Sequence, residues 1–282
     1  MKRLRKEQIS VLTAPYLHHT LEYGLDSIAA NGFTGVELWG ASPHFCIDDY
    51  TPEERAMRIR EIRLMLKERG LKLTMFHPEQ CRQYPINIAS PIEYIRKCSM
   101  RVMEAYLEDA LDLGTDKMII TPGWEYVDAQ SEDNFRRAVE SIQILNEKAK
   151  KLGVTLYMEE MDATSTVFLR DMKHLKRMID AVGSDNIKVC LDTVLAAGNG
   201  NSAEDYYNAF GEIGHVHIAD TGAGYMALGT GDAVLEAQFK FLAEKDYEGV
   251  ISIALWGAGF FKDPDAALRQ SVQWLEGCSV FS

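Results

Sequence analysis

The sequence has too little positive charge for a typical nucleic-acid-binding protein. Its 282 residues include 30 Lys and Arg against 42 Asp and Glu, which gives a formal net charge of -12. Binding to phosphate backbones depends on clustered Lys and Arg, so this balance argues against a nucleic-acid partner. It argues more weakly against an anionic membrane surface. We therefore expect neither nucleic acid nor membrane among the partners.

Cysteine is scarce, and long apolar runs are absent. The five cysteines are scattered and form no CxxC pair, which argues against a cysteine-based zinc site. Free thiols fit a reducing cytosol. No run approaches the ~20 apolar residues of a membrane span. The basic N-terminus is followed by a short apolar stretch and Pro15 rather than by a signal-peptide core. We expect a soluble, cytoplasmic protein.

Short apolar runs alternate with longer helical patterns along the whole chain. Runs such as Met118-Ile-Ile120 are typical of parallel strands buried on both faces. The predicted strands are 9–14, 35–39, 72–77, 117–121, 155–159, 188–192, 215–219 and 250–255. The predicted helices are 21–31, 52–69, 92–113, 131–152, 166–182, 203–210, 233–245 and 263–275. Eight such units predict a single (β/α)8 TIM barrel over residues 1–282. A doubly wound open sheet is the alternative, but it usually has fewer strands, and no GxGxxG follows the first strand.

Polar side chains end most of the apolar runs, where a barrel places its catalytic groups. An ordinary core has no need of so many carboxylates and imidazoles at strand ends, so the pattern indicates an enzyme. The residues are Glu37, Trp39, His77, Glu79, Thr121, Trp124, Glu125, Glu159, Glu160, Asp192, His215, His217, Asp220 and Trp256.

Three of these residues predict a metal site. Glu159, Asp192 and His217 end the fifth, sixth and seventh predicted strands, so their side chains can converge. Two carboxylates and an imidazole suit one divalent ion, with Mn²⁺ expected first and Co²⁺, Mg²⁺ or Zn²⁺ as alternatives. The competing interpretation is three unrelated residues that cap helices or pair with Arg. His215 shares the strand face of His217 but lies deeper, which favours a structural role.

Several motifs together resemble a known family. The chain is similar, from about residue 9 to 275, to the xylose-isomerase-like sugar isomerase/epimerase superfamily of TIM barrels. The closest branch is that of fructoselysine 3-epimerase and the ketose 3-epimerases. The matching motifs are Gly35-Val-Glu-Leu-Trp-Gly40, Ser42-Pro-His44, Pro78-Glu79, Tyr84-Pro-Ile-Asn87, Met158-Glu159, Leu191-Asp192, His215-Val-His-Ile-Ala-Asp220 and Gly229-Thr-Gly-Asp232.

The resemblance implies a fourth ligand that this chain lacks. The family binds its metal with Glu, Asp, His and a second Glu from strands five to eight. The first three match Glu159, Asp192 and His217, but Ala254 occupies the position of the second Glu. In the family, the two glutamates move a proton on the two faces of a ketose, through an enediolate. Glu159 and position 254 are therefore the expected catalytic positions. The loss of an acid–base group costs about 10²–10⁴-fold in rate, so we expect a weaker metal site and impaired turnover.

Two explanations account for Ala254: a deliberate Glu→Ala replacement, or a natural loss or change of activity. The otherwise intact motifs favour the first. Other departures concern the substrate, because Leu195, Ala223 and Ser165 stand where free-ketose epimerases carry His, Arg and Glu. A substituted, fructoselysine-like ketose is therefore favoured. The residues expected to bind it are His77, Glu79, Trp39, Trp124, Glu125, Trp256 and His44.

Other functions remain open on this sequence. A catalytically inactive sugar-binding barrel is one, and a metal-dependent lyase acting on a modified sugar, either inosose dehydratase-like or C-glycoside-cleaving, is another. A nuclease of the AP-endonuclease type is disfavoured by the acidity and by the small number of histidines. We expect a homo-oligomer, either a dimer or a tetramer.

Overall fold

The computed structural model describes residues 3–80, 86–222, 224–231 and 234–281, and it is built around a closed barrel of parallel strands. The strands are β1 Ile9–Leu12, β2 Gly35–Gly40, β3 Lys72–Pro78, β4 Lys117–Ile119, β5 Thr155–Glu159, β6 Ile187–Asp192, β7 His215–Ile218, β8 Asp220–Gly222, β9 Gly224–Met226 and β10 Ile251–Ile253. The barrel order is β1-β10-β7-β6-β5-β4-β3-β2, and β8 and β9 form a separate hairpin. The predicted (β/α)8 barrel is confirmed, and the open sheet is excluded.

Helices follow the barrel strands, and local signals set their ends. They are α1 Leu21–Ala30, α2 Pro52–Glu68, α3 Glu93–Leu113, α4 Glu132–Leu152, α5 Met172–Val182, α6 Thr193–Gly198, α7 Ala203–Phe210, α8 Leu235–Glu244 and α9 Pro264–Gly277. Gly114 and Gly153 end α3 and α4 at φ angles of 107° and 76°, which glycine adopts without a Cβ penalty. Thr51 and Ser131 are the N-caps of α2 and α4, and their side chains accept hydrogen bonds from backbone N–H groups of the first helical turn.

Three elements differ from the predictions. The predicted helix 166–182 begins only at Met172, because Thr166 instead caps a short 3₁₀ helix and Asp171 caps α5. Helix α6 and the β8–β9 hairpin were not predicted, since elements of three to six residues carry no readable periodicity. Residue 233, where another helix was predicted to begin, lies outside the described residues.

The main core lies between the barrel and its helices. Phe76 of β3 packs edge-on against Phe45 and Tyr106, with ring centroids 5.9 and 5.4 Å apart. The described cysteines, Cys46, Cys98, Cys190 and Cys278, are all free thiols. Among the described helices, none combines the length and apolar character that a bilayer crossing requires.

Candidate functional site

A cavity of about 90 Å³ opens at the carboxyl ends of the barrel strands. Active sites of TIM barrels lie at this end. Eight of the eleven residues predicted for the site line the cavity: Trp39, His77, Glu79, Glu159, Asp192, His217, Ala254 and Trp256. The strand ends therefore bring together most of the predicted set.

The predicted metal ligands converge beside this cavity. Glu159, Asp192 and His217 each offer a ligand atom, and these atoms all lie within 4.8 Å of one another. The side chains belong to adjacent strands, and Asp192 pairs with His217 in the β6–β7 register. Their residues are only 8%, 4% and 2% exposed, respectively. Two buried carboxylates and an imidazole at this separation are chemically suited to one divalent cation.

Asp192 is held in place by the chain that follows it. As the N-cap of α6, its Oδ1 accepts hydrogen bonds from the backbone N–H groups of Val194 and Leu195 at 2.8 and 2.9 Å. Its Oδ2 accepts a hydrogen bond from the Tyr225 hydroxyl at 2.8 Å. Burial and the neighbouring Glu159 carboxylate raise the pKa of Asp192 to about 6. A cation bound between the two carboxylates would relieve this repulsion.

His217 lies between two carboxylates. Its Nδ1 is 2.6 Å from Glu159 Oε2, and its Nε2 is 2.9 Å from Glu37 Oε1. Burial alone would lower the pKa of His217, but the attraction of Glu159 and Glu37 raises it well above the usual value. Burial alone would likewise raise the pKa of Glu159, and His217 lowers it. In this arrangement both ring nitrogens donate hydrogen bonds.

Glu37 is the residue that sequence reasoning left out of the predicted site. It is fully buried beneath the cavity, and in addition to His217 it accepts from His77 Nδ1 at 3.1 Å and His215 Nε2 at 3.0 Å. Burial would raise the pKa of Glu37, but His217 and His215 hold it well below its usual range. Carboxylates of this kind orient metal-binding histidines. Its place as a charged residue inside a fully buried strand, Gly35–Gly40, was the available signal.

We predict that Glu37→Gln destabilises the protein by about 3 kcal/mol, because it removes one partner from a buried, charged hydrogen-bond network. Urea unfolding in EDTA measures this loss. Glu61→Gln is the matched control, since Glu61 pairs with Arg58 at 3.3 Å on the surface, where the effect should stay within about 0.5 kcal/mol. Equal stabilities of the two variants would contradict the structural importance of Glu37.

The residues present fit a metal ion with three protein ligands. The donor set is two oxygens and one nitrogen, all buried, and the two carboxylates repel each other without a cation. Ala254, which is 3% exposed and lines the same cavity, provides no donor atom. Such a site would leave coordination positions for substrate or water.

Three predicted residues lie elsewhere. The His44 side chain is buried, with Nε2 3.1 Å from the Tyr16 carbonyl oxygen, and it does not line the cavity. Glu125 accepts hydrogen bonds from the Ser131 and Asn134 N–H groups. Trp124 packs edge-on against Tyr126 and, like Glu125, lines a separate cavity. The motif residues Tyr84, Pro85 and Asp232, and the departure Ala223, lie outside the described residues.

Glu159 and Glu160 diverge, as the alternation of a strand predicts. Whereas Glu159 contacts His217, Glu160 Oε2 accepts a hydrogen bond from Asn199 Nδ2 at 2.9 Å. Burial raises the pKa of Glu160. The two neighbouring carboxylates therefore provide a matched pair for mutation.

Comparisons with known proteins agree with this architecture. A fructoselysine 3-epimerase of Escherichia coli O157:H7 is 20% identical over 257 residues, which cover 90% of this chain and 91% of that protein. Among solved structures, a D-allulose 3-epimerase from Methylomonas sp. has a TM-score of 0.78 at 17% identity, covering 98% of this chain and 99% of the other. A 3-keto-D-glucoside 4-epimerase from E. coli has a TM-score of 0.77 at 21% identity, with 97% and 100% covered.

The family model described as a xylose isomerase-like TIM barrel matches residues 25–278. This match confirms the resemblance inferred from the motifs. The chain belongs to the xylose isomerase-like TIM barrel family.

Proposed function

We propose that this protein is a divalent-metal-dependent sugar isomerase or epimerase that acts on a ketose or a substituted ketose. The observation that carries the proposal is the convergence of Glu159, Asp192 and His217, all buried, beside one cavity at the catalytic end of the barrel. Relatives whose names state an activity include epimerases of fructoselysine and of ketoses, which supports the same substrate class.

Each residue of the site has a distinct task in this proposal. Glu159, Asp192 and His217 would hold the ion, with Mn²⁺ expected first. The ion, when bound, would polarise a sugar carbonyl and stabilise the charge that develops on its oxygen. Glu159 would also take the proton from the carbon beside the carbonyl. Glu37 fixes the ring orientation of His217 through the hydrogen bond at Nε2.

The cavity walls would bind and shield the sugar. Trp39 and Trp256 contact each other, with ring centroids 4.9 Å apart, and both line the cavity. Aromatic faces suit the C–H surface of a sugar and keep water from the reacting carbons. His77 and Glu79 would contact hydroxyl groups. Leu195 also lines the cavity, at the position where free-ketose epimerases carry a histidine. Because leucine is apolar, this position favours a substituted, fructoselysine-like ketose.

Ala254 leads us to propose an impaired or altered reaction. Alanine can neither bind a metal nor carry a proton, so the site would depend on Glu159 as its principal base. The consequence is weak turnover in reactions that need an acid–base group at position 254, directly after β10.

The test is hydrogen exchange in D₂O. The protein is incubated with fructoselysine or D-fructose, with Mn²⁺ or with EDTA, and NMR records deuterium at the carbons beside the carbonyl. We expect exchange with Mn²⁺ and none with EDTA. Sugar binding without any exchange would overturn the proposal in favour of an inactive binding barrel. Release of water or of an aglycone would instead identify a lyase.

A further inference from the structure

The candidate active cavity has two chemically different halves. Barrel strands β10, β1 and β2 are consecutive around the ring, and the described residues that line the cavity from these strands and the loops after them carry no ionisable group. These residues are Leu12, Trp39, Ala254 and Trp256. We call them the apolar wall. Ala254 belongs to one packed cluster with Leu12 and Trp39, so the wall continues into the apolar packing behind it.

The ionisable residues that line the cavity belong to the other strands and to the segments that follow them. Strands β3, β5, β6 and β7 contribute His77, Glu159, Asp192 and His217. Glu79, Glu160 and Asp162 follow β3 and β5, and Tyr225 belongs to β9. His77 Nε2 is 3.9 Å from Glu159 Oε1, and the His77 ring lies nearly parallel to that of His217, at 7° with centroids 5.6 Å apart. A base and a second group that can carry a proton therefore share one side. At 3.9 Å, these two atoms are too close to flank a substrate carbon on opposite faces.

Four polar side chains belong to the described strands of the apolar wall, namely Ser10, Glu37, Trp39 and Ser252, and none of them supplies a second base. The two serines are fully buried and do not line the cavity. Glu37 of β2 lies beneath the cavity, and both of its carboxylate oxygens are engaged by imidazoles. The indole N–H of Trp39 has no hydrogen-bond partner among the described residues, although the residue is only 8% exposed. A buried donor without a partner costs free energy, which a substrate oxygen would recover. The indole N–H can orient a sugar by donating a hydrogen bond, but it cannot act as a base.

We propose that this site moves protons on only one face of its substrate, so that it transposes a carbonyl group between C1 and C2 of a ketose rather than inverting C3. The proposal rests on the function proposed above and selects within it. Glu159 takes one proton from C1, the C1–C2 double bond forms, and the carbonyl oxygen gains a proton. Glu159 then returns the proton to C2 while the C1 hydroxyl loses its own and becomes the carbonyl. His77 is placed to carry the proton between the two oxygens, and the step needs no oxidant or reductant.

The apolar wall would bind the face of the substrate that does not react. A sugar face with few hydroxyl groups, or one that carries an apolar substituent, would pack on Trp39 and Trp256. The Trp39 N–H would donate to one oxygen at the edge of that face. The inferred substrate class is therefore a ketose with one predominantly C–H surface.

Stereochemistry tests the inference directly. D-Fructose is incubated with the native protein and Mn²⁺ in D₂O, and NMR follows its two C1 hydrogens, C3 and the products. We expect deuterium in only one of the two C1 positions, an aldose product, and unchanged configuration at C3. Formation of D-allulose with deuterium at C3 would overturn the inference and leave the proposed function standing. Absence of exchange at every carbon, despite binding, would overturn both.

Binding provides a readout that does not depend on turnover. The quenching of tryptophan fluorescence by D-fructose in Mn²⁺ gives an affinity for the native protein and for Trp39→Phe, which keeps a ring but removes the donor. We expect a 2–10-fold weaker affinity, as for the loss of one neutral hydrogen bond. Trp274→Phe is the control, because Trp274 packs against Phe239 away from the cavity. Unchanged affinity in Trp39→Phe would argue against this part of the apolar wall as a binding surface.

Discussion

Ala254→Glu is expected to give the protein C3 epimerisation of a ketose, at a rate about 10²–10⁴-fold above that of the native chain. Position 254 follows Ile253, which pairs with Ile218 of β7 and Val11 of β1 at the end of the barrel. A carboxylate there would enter from the apolar wall, whereas Glu159 lies on the opposite, ionisable side. It would supply both a fourth ligand and a proton carrier for the second face. D-Fructose in D₂O with Mn²⁺ should then give D-allulose labelled at C3.

The same substitution has an opposite effect on the metal-free protein. The new carboxylate would be buried among Leu12, Trp39 and Trp256, where an unpaired charge is costly. We expect a lower unfolding temperature in EDTA and a larger increase on adding Mn²⁺ than the native chain shows. Ala254→Gln is the control for size, because an amide cannot transfer the proton. No gain of C3 exchange in Ala254→Glu would remove the epimerase interpretation of this position.

The barrel could be predicted from the sequence because its strands are unambiguous. Continuous apolar runs such as Met118-Ile-Ile120 have no competing interpretation once helical patterns flank each of them. The order of strands in a barrel then follows from their order in the chain. For this reason Glu159, Asp192 and His217 could be assigned to adjacent strands from the sequence, and the structure places them beside one another.

Contacts across the barrel could not be predicted in the same way. Glu37 contacts His215 and His217 from β2, five strands away along the chain, and no local pattern encodes which interior side chains meet there. His44 illustrates the converse case. A motif match suggested a substrate contact, but its imidazole hydrogen-bonds to backbone carbonyls. The motif match identified the residue type at this position, but it could not show which groups surround the side chain.

The apolar wall also defines the surroundings of Ala254. By its motifs, the chain lacks one residue of the family's ligand set at this position. In the structure Ala254 packs with Leu12 and Trp39, and the cavity lining is apolar over three consecutive strands. A glutamate at position 254 would therefore enter apolar surroundings and would depend on a bound cation for its partner.

Glu159→Gln is expected to abolish hydrogen exchange and to weaken Mn²⁺ binding by at least about 100-fold, beyond the 10–100-fold typical of an outer partner. The amide keeps the size of the side chain but loses the charge that attracts the cation and the basicity that removes the proton. It also leaves His217 Nδ1, now 2.6 Å from a carboxylate oxygen, without its ionic partner. Calorimetric titration with Mn²⁺ and exchange of D-fructose protons in D₂O measure the two effects separately.

Glu160→Gln is the matched control for the metal effect. Glu160 is the next residue along the chain, is also buried and also lines the cavity, but it is not part of the convergent group of Glu159, Asp192 and His217, and its Oε2 accepts a hydrogen bond from Asn199. An amide oxygen can accept the same bond, so we expect Mn²⁺ affinity within about threefold of the native value, which is under 1 kcal/mol. If both substitutions weakened Mn²⁺ equally, the loss would reflect general negative charge near the cavity rather than coordination. If Glu159→Gln kept the native Mn²⁺ affinity, the ion would not bind at Glu159, Asp192 and His217.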